Sequence, residues 1–239
     1  MRKNLLQDRE NYFQNLSYIL IYKIISIEIT KDFKITNSKK FLNQVYKYKT
    51  DSETKDLYDQ WYLSYDQELA NNNYITPKRC SEALDRHLSN KNGVILDLGC
   101  GTGLSGKEII LKGFNQVDGT DFSEKMLYKA KLKKIYRNLF LLDLNNNVFN
   151  LENNYDAIIA AGVISPNHAK PKALKSCLKH MKPNGLIIFS LNDHAYNDIG
   201  FMKEIDSIID NFKLKILEKE YGEHLSKIHL KSWIYVLKK

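Results

Sequence analysis

Val94-Ile95-Leu96-Asp97-Leu98-Gly99-Cys100-Gly101-Thr102-Gly103 decides the reading of this 239-residue chain. An apolar run of strand length carries an acid near its end and opens into three glycines at alternate positions. Lys91-Asn92-Gly93 supplies a turn just before it, so the run predicts a short, buried strand. Glycine lets the backbone turn sharply and approach a ligand with no β-carbon in the way. A helix expected at 104–112 completes the strand, loop and helix context that a nucleotide loop requires.

Two acids strengthen that reading. Asp97 precedes the glycines, and Asp121 closes the next predicted strand, 18 residues after Gly103. An acid in that second position can bond both hydroxyls of a ribose. Asp97 narrows the ligand, because a carboxylate beside the loop suits an ammonium group and disfavours a pyrophosphate, and therefore NAD. The glycines follow GxGxG rather than GxGxxG, and no GxxxxGK[ST] occurs, so a P-loop cradle is absent. The bland alternative is a tight strand-to-helix turn without a ligand.

Working outward, strands and helices alternate. Residues 94–98, 116–120, 139–142, 155–161 and 186–191 read as strands, with helices expected near 104–112, 124–135 and 171–181. The turn Lys182-Pro183-Asn184-Gly185 leads into the last of these strands. A helix near 201–211 then precedes strands at 214–220 and 232–237, spaced for an antiparallel pair. Upstream, DLYDQWYLSYDQELA at 56–70 has helical aromatic spacing, and Thr76-Pro77 starts a second helix through His87. The alternation predicts a doubly wound, mostly parallel α/β sheet with its ligand beyond the carboxyl ends of the strands. Residues 1–55 are expected as a basic N-terminal extension or cap, and 56–239 as the ligand-binding domain. Within 1–50 the isoleucines fit a strand and a helical face equally well, and both stay open.

The motifs resemble those of class I S-adenosylmethionine-dependent methyltransferases. ILDLGCGTG at 95–103 resembles their first motif, GTDFSEKML at 119–127 the second, and Leu142-Asp143-Leu144 the third. The resemblance implies a Rossmann-like seven-stranded sheet and S-adenosylmethionine as cofactor. It implies that Asp97, Gly99, Cys100, Gly101 and Gly103 hold the methionine moiety, Asp121 the ribose, and Asp143 and Leu144 the adenine end. Phe122 and Met126 would pack near the adenine, although Met126 serves equally well as helix core. YDQWYLSYDQ at 58–67, GVISPNHAKPKAL at 162–174 and KPNGLIIFSLND at 182–193 are further similar to the methyltransferase-like proteins named for the Williams–Beuren syndrome region. Asn184 stands where such turns usually carry glycine, a position Asn tolerates.

Methyl transfer from a sulfonium needs a positioned nucleophile and exclusion of water more than a dedicated catalyst. The stretch after the fourth strand, from Gly162 to His168, would border the methyl group. His168 is the candidate general base, since histidine titrates near neutral pH; the alternative is a substrate contact or an exposed residue. Tyr65 is a candidate aromatic face for the sulfonium, with Trp61 beside it as a lid; the alternative is a core-packing stripe. His180, His194, His224 and His229 share no metal-ligand spacing and read as surface residues, and no metal is expected.

Composition bounds the partners. The formal charge of +8 could serve a polyanion, but lysines, asparagines and isoleucines are spread throughout, which fits a coding bias better than a binding face. Nucleic acid is therefore disfavoured. Cys80, Cys100 and Cys177 form no CxxC pair, so a reducing, cytoplasmic setting is expected. No run reaches the ~20 apolar residues of a membrane helix. The loop AAGVISPNH at 160–168 lacks the [DN]PP[YFW] pattern of base-amine methylation and the Pro-Cys pair of cytosine methylation, which favours a small-molecule O, N or S acceptor. A protein or RNA methyltransferase, an inert S-adenosylmethionine-binding interaction protein and a nucleotide oxidoreductase stay as alternatives. A monomer or homodimer is expected.

Overall fold

The computed structural model describes residues 41, 42, 44, 50–145, 151 and 154–239. The reading of residues 1–40 as extension, strand or helix lies outside the described residues. Residues 42–239 belong to one compact unit.

Seven strands form the sheet: β1 (Val94–Leu98), β2 (Gln116–Asp121), β3 (Leu139–Leu141), β4 (Tyr155–Ala160), β5 (Met181–Asn192), β6 (Lys215–Leu225) and β7 (Leu230–Lys238). Their order across the sheet is β3-β2-β1-β4-β5-β7-β6. Neighbours from β3 to β5 run parallel, and β7 is antiparallel to both β5 and β6. The expected doubly wound sheet is thus present. From β1 the chain builds outward to β2 and β3, then returns to add β4 on the other side. That reversal opens a crevice above the carboxyl ends of β1 and β4.

Strand periodicity explains the core. Successive side chains point to opposite faces, so Leu96, Ile158 and Phe189 join one apolar cluster while Ile95, Ile159 and Ile188 join the other. Each fully buried aliphatic side chain stabilises by roughly 1.5–3 kcal/mol, enough to fix the register that aims Gly99 and Asp121 at the crevice.

The helices are α1 (Asp51–Trp61), α2 (Tyr65–Asn71), α3 (Thr76–His87), α4 (Leu104–Leu111), α5 (Glu124–Leu132), α6 (Lys172–Cys177), α7 (Asp193–Tyr196) and α8 (Ile199–Asn211) among the described residues. The single helix expected over 56–70 is two helices. The first starts earlier because Thr50 and Glu53 form a capping box, satisfying two otherwise orphaned N–H groups. The expected boundary at 55/56 therefore falls inside α1.

The helix expected over 171–181 is shorter, its last turn tightening into a 3-10 segment, Leu178–His180. Lys182-Pro183-Asn184-Gly185 does not precede a strand but is looped out within β5. Met181 pairs with Tyr155, and pairing resumes at Leu186 with Ala157. Asn184 takes the left-handed φ of 64° that this excursion requires.

Candidate active site

A cavity of about 700 Å³, its open mouth included, lies beyond the carboxyl ends of the parallel strands. Gly99 and Gly101 reach it from the loop after β1, Asp121 and Phe122 from the end of β2, and Met126 from α5. Asp143 and Leu144 follow β3, Gly162 follows β4, and Tyr65 and His168 complete the far wall. Most of the residues singled out in the sequence thus meet around one space.

The loop's geometry explains its glycines. Gly99 has φ +66°, and a β-carbon there would meet Val163 at 2.7 Å. At Gly101, with φ +55°, an added β-carbon would have nothing within 4 Å, so only open space of the kind a ligand needs faces it. The Gly101 N–H donates to Asp121 Oδ2 at 2.8 Å, and the Ser123 N–H to Oδ1 at 2.9 Å. Loop and acid are thereby locked together. Burial pushes the Asp121 carboxyl up to about 6, against the lowering effect of those N–H donors.

Asp97, Cys100 and Gly103 are not brought to the cavity wall. Asp97 is fully buried beneath the loop, where it accepts from the Ser105 hydroxyl at 2.6 and 2.7 Å and from Tyr136 at 2.6 Å. Desolvation raises its carboxyl to about 6. Rather than facing the cavity, Asp97 braces the floor of the loop. Cys100 is buried, and a β-carbon on Gly119 would meet its sulfur at 3.0 Å. Gly103 turns the chain into α4 with φ +92°. Tyr136 was not legible as a site residue, yet it abuts Gly103, Gly106 and Gly119, where added β-carbons would meet its ring or hydroxyl at 3.1 Å or less.

Helices α1 and α2 form a cap that sequence reasoning only partly foresaw. Tyr58 and Thr54 line the cavity with Tyr65. The Tyr58 hydroxyl lies 2.9 Å from His168 Nε2, and Ser165 Oγ lies 2.6 Å from His168 Nδ1. Burial, with Lys170 adding to it, lowers the His168 pKa to about 4, so its imidazole is neutral near pH 7. Trp61 is 1% exposed and packs edge-on against Tyr65, with ring centroids 4.7 Å apart. Asp66 bonds Thr102 and pairs with Lys133 at 2.8 Å, while Asp59 bonds Ser123. The cap is therefore tied directly to both ligand-facing loops. The aromatic spacing of 56–70 was the available signal for Tyr58; nothing comparable marked Asp59 or Asp66.

A second cavity of about 490 Å³, open mouth included, adjoins the first, with Tyr58, Tyr65, Gly162 and His168 common to both walls. Among the described residues, no three His, Cys, Asp or Glu side chains are placed to hold a metal ion. No helix among them is long and apolar enough to cross a membrane.

A family model described as a methyltransferase domain matches residues 96–187, which run from β1 into β5 and include every strand-end acid of the cavity. This match and the relatives that follow support a class I S-adenosylmethionine-dependent methyltransferase. Human Methyltransferase-like protein 27 is 29% identical over 66% of this chain and 64% of its own length. The ubiquinone biosynthesis O-methyltransferase of Chromobacterium violaceum is 29% identical over 54% of this chain and 57% of its own. The chain thus spans less than two thirds of the length of these curated relatives. In fold it is similar to the 1,6-didemethyltoxoflavin-N1-methyltransferase of Burkholderia thailandensis, solved with S-adenosylhomocysteine, at 16% identity and a TM-score of 0.57 over 77% of this chain and 87% of that one. It is also similar to a TehB-like methyltransferase of Corynebacterium glutamicum, at 20% identity and a TM-score of 0.53 over 76% and 98%.

The methyltransferase fold's cofactor, S-adenosylmethionine, is compatible with these residues. The open space at Gly101 leaves room for close backbone approach, and the ionised Asp121 offers the acceptor that a ribose diol needs.

Proposed function

We propose that this chain transfers the methyl group of S-adenosylmethionine to a small-molecule O, N or S nucleophile. The observation that carries this reading is the convergence of Gly99, Gly101 and Asp121 on one cavity that adjoins a second space across shared lining residues. In this reading the transferase domain runs from the start of α1 at Asp51, rather than from residue 56, to residue 239, and the residues before it are an appended cap or extension. The protein acts as a soluble, cytoplasmic monomer or homodimer.

Bound in the first cavity, S-adenosylmethionine supplies a methyl group already activated by its sulfonium. The chain's own residues do the rest. Asp121 holds the ribose hydroxyls, and Phe122, Met126, Asp143 and Leu144 enclose the adenine end. Gly99 and Gly101 admit the methionine portion, with Asp97 supporting them from below. Cys100 and Gly103 set the loop's course rather than touching the ligand. Tyr65 and Gly162, common to both cavities, border the point of transfer. Neutral His168 takes the proton the acceptor releases, with the Tyr58 hydroxyl as its contact to the shared wall. The cap excludes water, which would compete as nucleophile.

Calorimetric titration with S-adenosylmethionine, S-adenosylhomocysteine and NAD tests the reading. Micromolar binding of the first two, about −8 kcal/mol, is expected; binding of NAD alone, or of none, overturns it.

A further inference from the structure

The second cavity has chemistry of its own. Tyr58, Trp61, Tyr65 and Tyr74 give it aromatic walls, and none of the described residues lining it is Asp, Glu, Lys or Arg. A charged ligand buried there would lose its hydration without gaining an opposite charge from this described lining, a cost of several kcal/mol. A flat, uncharged ring loses little and gains aromatic contact.

One wall of this space is made of hydrogen-bond donors. His224, on β6, is 5% exposed, and its Nδ1 lies 2.7 Å from Thr76 Oγ1. Behind Thr76, Ser232 Oγ lies at 3.5 Å and accepts from Arg79 at 3.1 Å. Arg79 can only donate and each hydroxyl can do both; in the orientation on which the inference rests, Ser232 donates to Thr76 and Thr76 to His224 Nδ1. The proton of the neutral ring is then on Nε2, which has no hydrogen-bond partner among the described residues. In the same lining, Ser190 Oγ accepts from the Gly162 N–H at 2.7 Å, and Asn192 Oδ1 from the Ala195 N–H at 3.0 Å. The Ser190 hydroxyl hydrogen and the Asn192 amide NH2 add further donors.

We infer that the second cavity is the acceptor pocket, that it takes a flat, uncharged ring bearing a carbonyl-type oxygen, and that His224 Nε2–H holds that oxygen. His224 is a specificity-determining residue, and it lines the same space as His168, the proposed proton acceptor. The inference rests on the methyltransferase reading for the direction from which the methyl arrives.

Three ortho-substituted phenols of matched shape test it: neutral 2-hydroxyacetophenone, anionic salicylate and cationic 2-(aminomethyl)phenol. Each is titrated into the full chain saturated with S-adenosylhomocysteine. The neutral ketone is expected to bind at least tenfold more tightly than either charged ring. His224→Phe, which keeps a ring but loses the donor, should weaken the ketone about tenfold, and His224→Gln, which keeps a donor, should restore most of it. S-adenosylhomocysteine affinity serves as the folding control in both variants. Equal or tighter binding of a charged ring, ketone affinity unchanged in His224→Phe, or no ring bound by the saturated protein would overturn the inference. Failure of the wild-type chain to bind S-adenosylhomocysteine would instead remove the methyltransferase reading beneath it.

Discussion

The Tyr58 hydroxyl and His168 Nε2 lie 2.9 Å apart although 110 positions separate them in the chain. The contact joins the cap to the loop after β4, and both residues line both cavities. His168→Asn should lower kcat by about 10²–10⁴-fold, the usual contribution of a positioned base. Tyr58→Phe should lower it less, because the imidazole remains. Steady-state kinetics on an acceptor found by the pocket screen provides the check, with cofactor affinity expected to stay within about threefold in both variants. Unchanged kcat in His168→Asn would remove its role as base.

Asp121, as the proposed ribose acceptor, is expected to set the pH dependence of cofactor binding. Its carboxyl is pushed from the ordinary 3.8 up to about 6 by burial. Above that value it is ionised and accepts strongly from ribose hydroxyls; as the pH falls through about 6 it gains a proton and loses one acceptor site. S-adenosylhomocysteine affinity should therefore fall as pH drops from 7 to 5. His168, lowered to about 4, stays neutral over this whole window and contributes nothing to the decline. In Asp121→Asn the affinity should be about 100-fold weaker at pH 7, or about 2.7 kcal/mol, with a flatter pH profile. Calorimetry at pH 5, 6, 7 and 8 on both proteins separates the outcomes, and wild-type affinity in the variant would overturn the ribose assignment.

Tyr136 stabilises the loop through Asp97. Tyr136→Phe keeps the ring against Gly106 but removes one of the donors to a fully buried carboxylate. The expected loss is about 1–3 kcal/mol, read as a lower midpoint in denaturant unfolding. Asp97→Asn should cost less than this in the Tyr136→Phe background than alone, since the two residues share one interaction; strict additivity would contradict the bracing role.

The sheet was legible because strand length, glycine punctuation and buried apolar runs are local signals. Strand β1 and the acids at 97 and 121 could be placed from a dozen residues each. What the sequence could not give was direction: Asp97 and Asp121 both flank the glycines, but only Asp121 reaches the cavity. That difference depends on Ser105 and Tyr136, one 8 residues on and the other 39. His168 was found through its loop, whereas its partners Tyr58 and Ser165 emerged only once the cap was folded over it. His224 was read as a surface residue, since nothing in its neighbours in sequence shows that Thr76, Arg79 and Ser232 gather behind it. The start of α1 moved to Asp51 because a cap outweighed apolar spacing.

The ties from Asp66 to Thr102 and Lys133, and from Asp59 to Ser123, have a kinetic meaning. Swinging the cap aside requires these bonds to break, and they end on the same loops that face the first cavity. Where reactant and spent form pass beneath the cap, both would share these breaks, and the expected consequence is a turnover paced by cap opening. The Asp66–Lys133 pair is partly exposed, so added salt screens it and loosens the cap. Ionic strength would thus act as a throttle on exchange, without touching the chemistry inside.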